Sequence, residues 1–256
     1  MYTDISYDSH GHVGVVTLNR PDVRNALRRQ TYRELEDAVR GTTARVLVIT
    51  GAGGSFCSGD DVREVFGGDD AGSAPPRPQP RLTPAAEALL HTNVPVIAAV
   101  NGPAVGWGME LALFADLRIA GSSARFGELF VKRGLCSDVA GIGRLAQLVG
   151  RERAAELLFT GDVIDAEQAQ RIGLVGRTVD DAELLGAALE LAGRIAANPP
   201  LAVAALKEGL RRALDPDWSG LGSWVSATLG ELFTTEDHRE GVRSFLEKRE
   251  PRYVGR

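Results

Sequence analysis

The chain has 256 residues, 44% apolar and 25% charged, which excludes a disordered or fibrous protein and leaves room for one substantial core. Its net charge of −5 and pI near 5.5 argue against a partner held through a phosphate backbone, so nucleic acid is disfavoured. Two cysteines cannot build a disulfide framework, the Met1-Tyr-Thr-Asp start lacks the pattern of a signal peptide, and no apolar run nears the roughly 20 residues of a spanning helix; a cytoplasmic setting with no membrane is expected.

In chain order, His10 and His12 flank Gly11 in a presumptive hairpin turn, and residues 13–18 form a short β-branched run. Residues 25–40 have helical spacing, and residues 45–50 form the next strand-like run. Residues 50–62 then pass through Gly51, Gly53, Gly54 and Gly59, a loop whose backbone N–H groups side chains shield little. No Gly-Lys-Ser/Thr follows, so it is not a phosphate-cradling P-loop. Residues 67–80 have the composition of an exposed loop, read either as a plain connection or as a lid.

The unit recurs. Residues 94–100 read as a buried strand that passes through Gly102, Gly106 and Gly108 into a helix over 107–114, with a strand-like run at 116–120. A helix start offers unpaired N–H groups and positive potential, suited to a developing oxyanion, and Glu110 sits in its first turn. Strands alternating with helices predict an α/β core. Beyond residue 142 the pattern is helical: Asp165 with Gln168 forms a capping box, and Asn198 before Pro199 reads as an N-cap. The division expected is a core over 1–195 and a helical region over 196–256. The four histidines are scattered without metal-ligand spacing, so no metal site is expected.

Several ordered motifs resemble the enoyl-CoA hydratase/isomerase (crotonase) family. They include Asn19-Arg-Pro-Asp-Val-Arg-Asn-Ala-Leu27, Phe56-Cys-Ser-Gly-Asp-Asp61 and Asn101-Gly-Pro-Ala-Val-Gly-Trp-Gly-Met-Glu-Leu111. Phe126-Gly, Leu158-Phe-Thr-Gly161, Ala169-Gln-Arg-Ile-Gly-Leu-Val175 and Glu240-Gly-Val-Arg-Ser-Phe-Leu-Glu-Lys248 continue the match to the end of the chain. The resemblance implies an α/β spiral of ββα repeats, with a C-terminal helical region that makes a homotrimer or a dimer of trimers. It also implies an acyl-CoA substrate, no cofactor beyond its CoA moiety, and an oxyanion hole formed by the backbone N–H groups of Asp60 and Trp107. The side chains of these two residues either point away from the site or, for Trp107, wall the acyl pocket.

Hydratases of the family resemble one another in using two glutamates, because hydration needs one group to take a water proton and another to protonate carbon. Glu110 matches the first. Ungapped register puts Phe130 at the second position and disfavours Glu128, while Asp138 falls where some relatives carry a catalytic aspartate; Asp138 reads equally as a helix cap or turn residue. Hydration and double-bond isomerisation both stay open, beside acyl-CoA binding with little turnover. By resemblance, Val23, Arg24, Ala26, Ser58, Asp61 and Arg63 lie along the CoA, and Phe245 and Lys248 reach the CoA of an adjacent subunit. For Arg24 and Lys248 a solvated surface charge is the other reading.

Overall fold

The computed structural model describes residues 2–61, 64, 82–215 and 217–256. Residues 67–80, read as a plain connection or a lid, and Arg63, expected along the CoA, lie outside the described residues. In chain order, β1 (Ile5–His10) and β2 (Val13–Leu18) form a hairpin about Gly11, α1 (Arg29–Gly41) leads to β3 (Val46–Gly51), and α2 (Pro84–His91) leads to β4 (Val96–Val100). Then follow β5 (Pro103–Val105), α3 (Trp107–Phe114), β6 (Leu117–Gly121) and β7 (Arg125–Gly127). A 3-10 turn at Leu129–Arg133 and a π turn at Ala140–Arg144 precede α4 (Leu145–Val149), α5 (Arg151–Thr160), β8 (Ile164–Asp165), α6 (Ala166–Arg171) and β9 (Arg177–Val179). The chain ends with α7 (Leu184–Ala196), α8 (Pro200–Leu214), α9 (Trp218–Leu232) and α10 (Glu236–Glu247).

The main sheet has the order β1-β2-β3-β4-β6-β9; β1 and β2 are antiparallel and each later pair is parallel. Because side chains alternate across a strand, a parallel sheet buries both faces, and its strands are apolar throughout. Val13, Val15, Val46, Val48, Ile97, Ala99 and Ile119 face α7, whose Ala188, Ala192 and Ala196 recur every four residues and let the helix approach closely. Val16, Leu18, Leu47, Ile49, Ala98 and Val100 face the larger core that holds α2 and α3. A second, small sheet, β5-β7-β8, stands beside the first and carries the chain into α3.

Two helix starts differ from expectation. The segment 25–40 becomes helical only at Arg29, because Arg24 and Asn25 take left-handed φ values of 54° and 55° that no right-handed helix admits. Asn198 does not cap α8: its side-chain amide donates back to Arg194 O and Ile195 O, closing α7, and Pro199 occupies the N-cap before Pro200. The Asp165–Gln168 capping box forms as read. The C-terminal helices dock on the core through buried contacts, among them Lys207 to Asp116 at 2.7 Å and Arg144 to Asp215 at 3.1 Å.

Arg118 fixes α3 from its C-terminal end. It is 7% exposed, and its guanidinium donates to Ala115 O and Leu174 O, both at 2.7 Å, which places a cation where the helix leaves carbonyls unpaired. Burial lowers its pKa to about 10, still far above neutral. Arg118→Leu strips two buried carbonyls of their donor, and chemical denaturation should show a loss of about 3 kcal/mol. An unchanged midpoint would mean that the carbonyls find other partners.

Candidate active site

Two backbone segments meet at the C-terminal ends of β3 and β4. After β3 the chain runs through Cys57, whose N–H donates to Pro103 O at 3.0 Å and whose carbonyl accepts from Val105 N at 3.1 Å, forming a bridge to β5. Glycine is required on both sides. A Cβ on Gly108 would stand 2.1 Å from Cys57 O, and one on Gly59, at φ 86°, would stand 2.9 Å from Val105 O and 3.3 Å from Trp107 N. The residue after Gly59 is Asp60, and Trp107 opens α3, so the two expected donors emerge from abutting loops. Among the described residues neither N–H donates to a backbone carbonyl outside the helices and strands, and the first N–H of a helix has no intrahelical acceptor.

The side chains of both residues are tethered. Tyr32 on α1 donates from its hydroxyl to Asp60 Oδ1 at 2.6 Å, and its ring meets Trp107 edge-on at 4.7 Å. Trp107, 5% exposed, packs on Phe114 and donates from Nε1 to Asp138 Oδ2 at 3.1 Å. Asp138 Oδ1 accepts from Val139 N at 2.8 Å, at the entry to the π turn. Burial pushes Asp60 up to about 6, against the Tyr32 hydrogen bond, and burial likewise raises Asp138.

Glu110 and Glu128 are 0% and 1% exposed. Gly141 in the π turn donates to Glu110 Oε2 at 2.9 Å, and Ser137 donates to Glu128 Oε2 at 3.0 Å. The two carboxyls face one point: a Cβ on Gly141 would lie 2.7 Å from Glu110 Oε1 and 3.1 Å from the carboxyl carbon of Glu128. Oε1 of each has no hydrogen-bond partner among the described residues. Burial, then the charges of Glu128 and Asp138, hold the Glu110 pKa well above the usual carboxylate range; burial pushes Glu128 up to about 8, moderated by Ser137. Register had set Glu128 aside, yet the chain after β7 turns its carboxyl inward, while Phe130 packs against the apolar core. The signal in the sequence was Ser137, a hydroxyl placed to receive a buried acid, but only the fold pairs it with Glu128.

The structure brings Val23, Arg24, Ala26, Ser58 and Asp61 together. Ser58 N donates to Arg24 O and its hydroxyl to Val23 O; Asp61 N donates to Leu27 O. Arg20, which sequence reading missed, binds Ala26 O at 2.6 Å and Asp61 Oδ2 at 3.0 Å, and the Asn25 amide spans Ala52 O and Ser55 O. Phe245 and Lys248 lie elsewhere, at the end of α10, where Arg133 stacks on the Phe245 ring at 4.6 Å. No His/Cys/Asp/Glu group among the described residues has metal-site geometry.

Abutting loops with two N–H groups that have no backbone acceptor outside the helices and strands among the described residues would, beside a buried carboxyl pair, suit an oxyanion with protons moving next to it. The family model for enoyl-CoA hydratase/isomerase matches residues 8–256. The chain is 37% identical to a short-chain-enoyl-CoA hydratase of Clostridium acetobutylicum, covering 96% of this chain and 95% of that one. It is 39% identical to a 2,3-dehydroadipyl-CoA hydratase of Escherichia coli K12, with coverage of 94% and 95%. Among solved structures, a carnitinyl-CoA hydratase from Mycobacterium avium superimposes with a TM-score of 0.86 at 36% identity, covering 100% of both chains. The chain belongs to the enoyl-CoA hydratase/isomerase family, has its α/β fold with a C-terminal helical region, and is an enzyme of that type.

The buried acid carries a pH signature. Unfolded, Glu128 ionises near 4.5; folded, it holds its proton up to about 8, so between these values rising pH increasingly favours the unfolded chain. Glu128→Gln removes that penalty. The melting temperature of the variant is expected to match that of the unaltered protein near pH 4 and to exceed it at about pH 9. Equal melting temperatures at both would count against a buried ionisation.

Proposed function

We propose that this enzyme adds water across the α,β double bond of a short enoyl-CoA. The observation that carries the reading is the Glu110–Glu128 pair, buried together against Gly141 with one oxygen of each without a hydrogen-bond partner among the described residues. Hydration places hydroxide on Cβ and a proton on Cα, so one carboxyl takes the water proton and the other supplies the proton to carbon. Two buried carboxyls this close oppose each other's charge, so the loss of one proton raises the cost of losing the second and the pair can offer one acid and one base. The thioester oxygen, accepting from the Asp60 and Trp107 N–H groups, carries the enolate charge between the two steps. Asp138 has a donor on each oxygen, which favours the glutamates as the groups that move protons.

Segments 20–27 and 52–61, fastened by Arg20 and Asn25, are the proposed cradle of the CoA moiety, with no further cofactor. A homotrimer or dimer of trimers is part of the same proposal; exposed Leu206, Leu210 and Leu214, at four-residue spacing on α8, support a covered face. Two free cysteines support a reducing, cytoplasmic setting, and burial pushes their thiols up to about 12 for Cys57 and about 11 for Cys136. No helix among the described residues is long and apolar enough to cross a membrane.

With a short trans-2-enoyl-CoA, Glu110→Gln and Glu128→Gln should each lower kcat by roughly 10²- to 10⁴-fold. Full turnover in Glu128→Gln would refute the pair. Ser137→Ala removes the hydrogen bond that holds the Glu128 pKa down, so the alkaline limb of the pH–rate profile should move upward from near 8. A limb that stays in place would assign it to another group.

A further inference from the structure

Asp60 and Trp107 serve through their backbones, so their side chains are free to do something else. In this chain both are held. Resting on the reading of their N–H groups as the oxyanion hole, we propose that Tyr32 and Asp138 are positioning residues that clamp these two side chains and so fix the donors.

Three observations carry the clamp. Tyr32 touches both donors at once: its hydroxyl donates to Asp60 Oδ1 at 2.6 Å, and its ring stands edge-on to the Trp107 indole at 4.7 Å. Asp60 sits on a loop held beside it by the narrow bridge to Leu27 and the Arg20–Asp61 ion pair, and the phenol adds an anchor to the Asp60 side chain itself from a regular helix, α1. A carboxylate beside a developing enolate opposes it electrostatically, and a hydrogen bond that draws Asp60 toward Tyr32 limits that opposition.

On the other side, the Trp107 indole N–H donates to Asp138 Oδ2, while Val139 N takes Oδ1. Asp138 thus has a donor on each oxygen, unlike Glu110 and Glu128, each with an unbonded Oε1. The π turn that begins at Ala140, two residues after Asp138, presents Gly141 N to Glu110. One continuous set of contacts therefore runs from Tyr32 through both donors to the proton-moving acid. Neither Tyr32 nor the Trp107–Asp138 bond needs to touch substrate for this to matter, because a donor misplaced by a fraction of an ångström loses strength steeply.

The test uses the full-length enzyme, turnover of a short trans-2-enoyl-CoA, and the infrared carbonyl band of a bound saturated acyl-CoA carrying ¹³C at the thioester. In the unaltered enzyme the band should lie below its position in water, reporting polarisation by the two donors. Tyr32→Phe, which keeps the ring, and Asp138→Ala should each move the band part way back and lower kcat about tenfold, a fraction of the 10²- to 10³-fold cost of losing a whole donor, with KM nearly unchanged. Asp138→Asn retains an oxygen that accepts from the indole and should recover most of the Asp138→Ala loss. An Asn variant as impaired as the Ala variant would make Asp138 a proton-moving group and overturn its positioning role. An unmoved band in Tyr32→Phe and Asp138→Ala overturns the clamp. No band shift in the unaltered enzyme would instead remove the oxyanion-hole reading on which the clamp rests. Melting temperatures measured in parallel separate lost folding from lost polarisation, because an unfolded fraction lowers the band's intensity and leaves its position alone.

Discussion

Everything at this site depends on two stretches of backbone lying closer than side chains allow. Gly108 and Gly59 stand where any Cβ would collide with Cys57 O or Val105 O. The contact fixes the start of α3 against the end of the loop after β3, so two N–H groups from distant parts of the sequence emerge side by side. The main sheet supplies the rigidity behind them: β3 and β4 pair in parallel and point both loops the same way. Arg118 closes the far end of α3, so the helix is held at one end by a buried cation and at the other by a glycine contact.

The acids impose the opposite demand. Asp60, Glu110, Glu128 and Asp138 gather in a region that disfavours charge, and burial is the first cause of the raised pKa in each. Such crowding is costly to the fold and useful to chemistry, since it makes acids that hold their protons more readily than ordinary carboxyls do. The π turn links the two demands, because its Gly141 both donates to Glu110 and leaves the space into which Glu110 and Glu128 face.

β2, β3, β4 and β6 were legible because apolar runs ended by turn residues announce them, and α3 was legible residue for residue. By contrast β5, β7, β8 and β9, of two or three residues each, carry too short a pattern, and β8 and β9 interrupt a stretch read as helical. The start of α1 was misread because the left-handed backbone at Arg24 and Asn25 leaves no trace in hydrophobic spacing. Asn198 was misread for a related reason: an amide beside a proline can cap the helix that follows or close the one before, and only the neighbouring carbonyls decide. Register set Glu128 aside, and its burial beside Glu110 was not legible, because counting along the motif does not say which way a side chain turns at the entry to the 3-10 turn after β7. The tethers on Asp60 and Trp107 join residues 28 and 31 positions apart, beyond the reach of local pattern.

The glycine contact also sets which changes the site can absorb. An N–H that belongs to the main chain is present whatever side chain stands there, so positions 60 and 107 can vary in chemistry as long as the replacement is held as firmly as Asp60 and Trp107 are. Positions 59 and 108 have no such freedom, for any side chain there would prise the loops apart. The fold thus separates a part that defines the reaction class from a part that can be retuned for the acyl group.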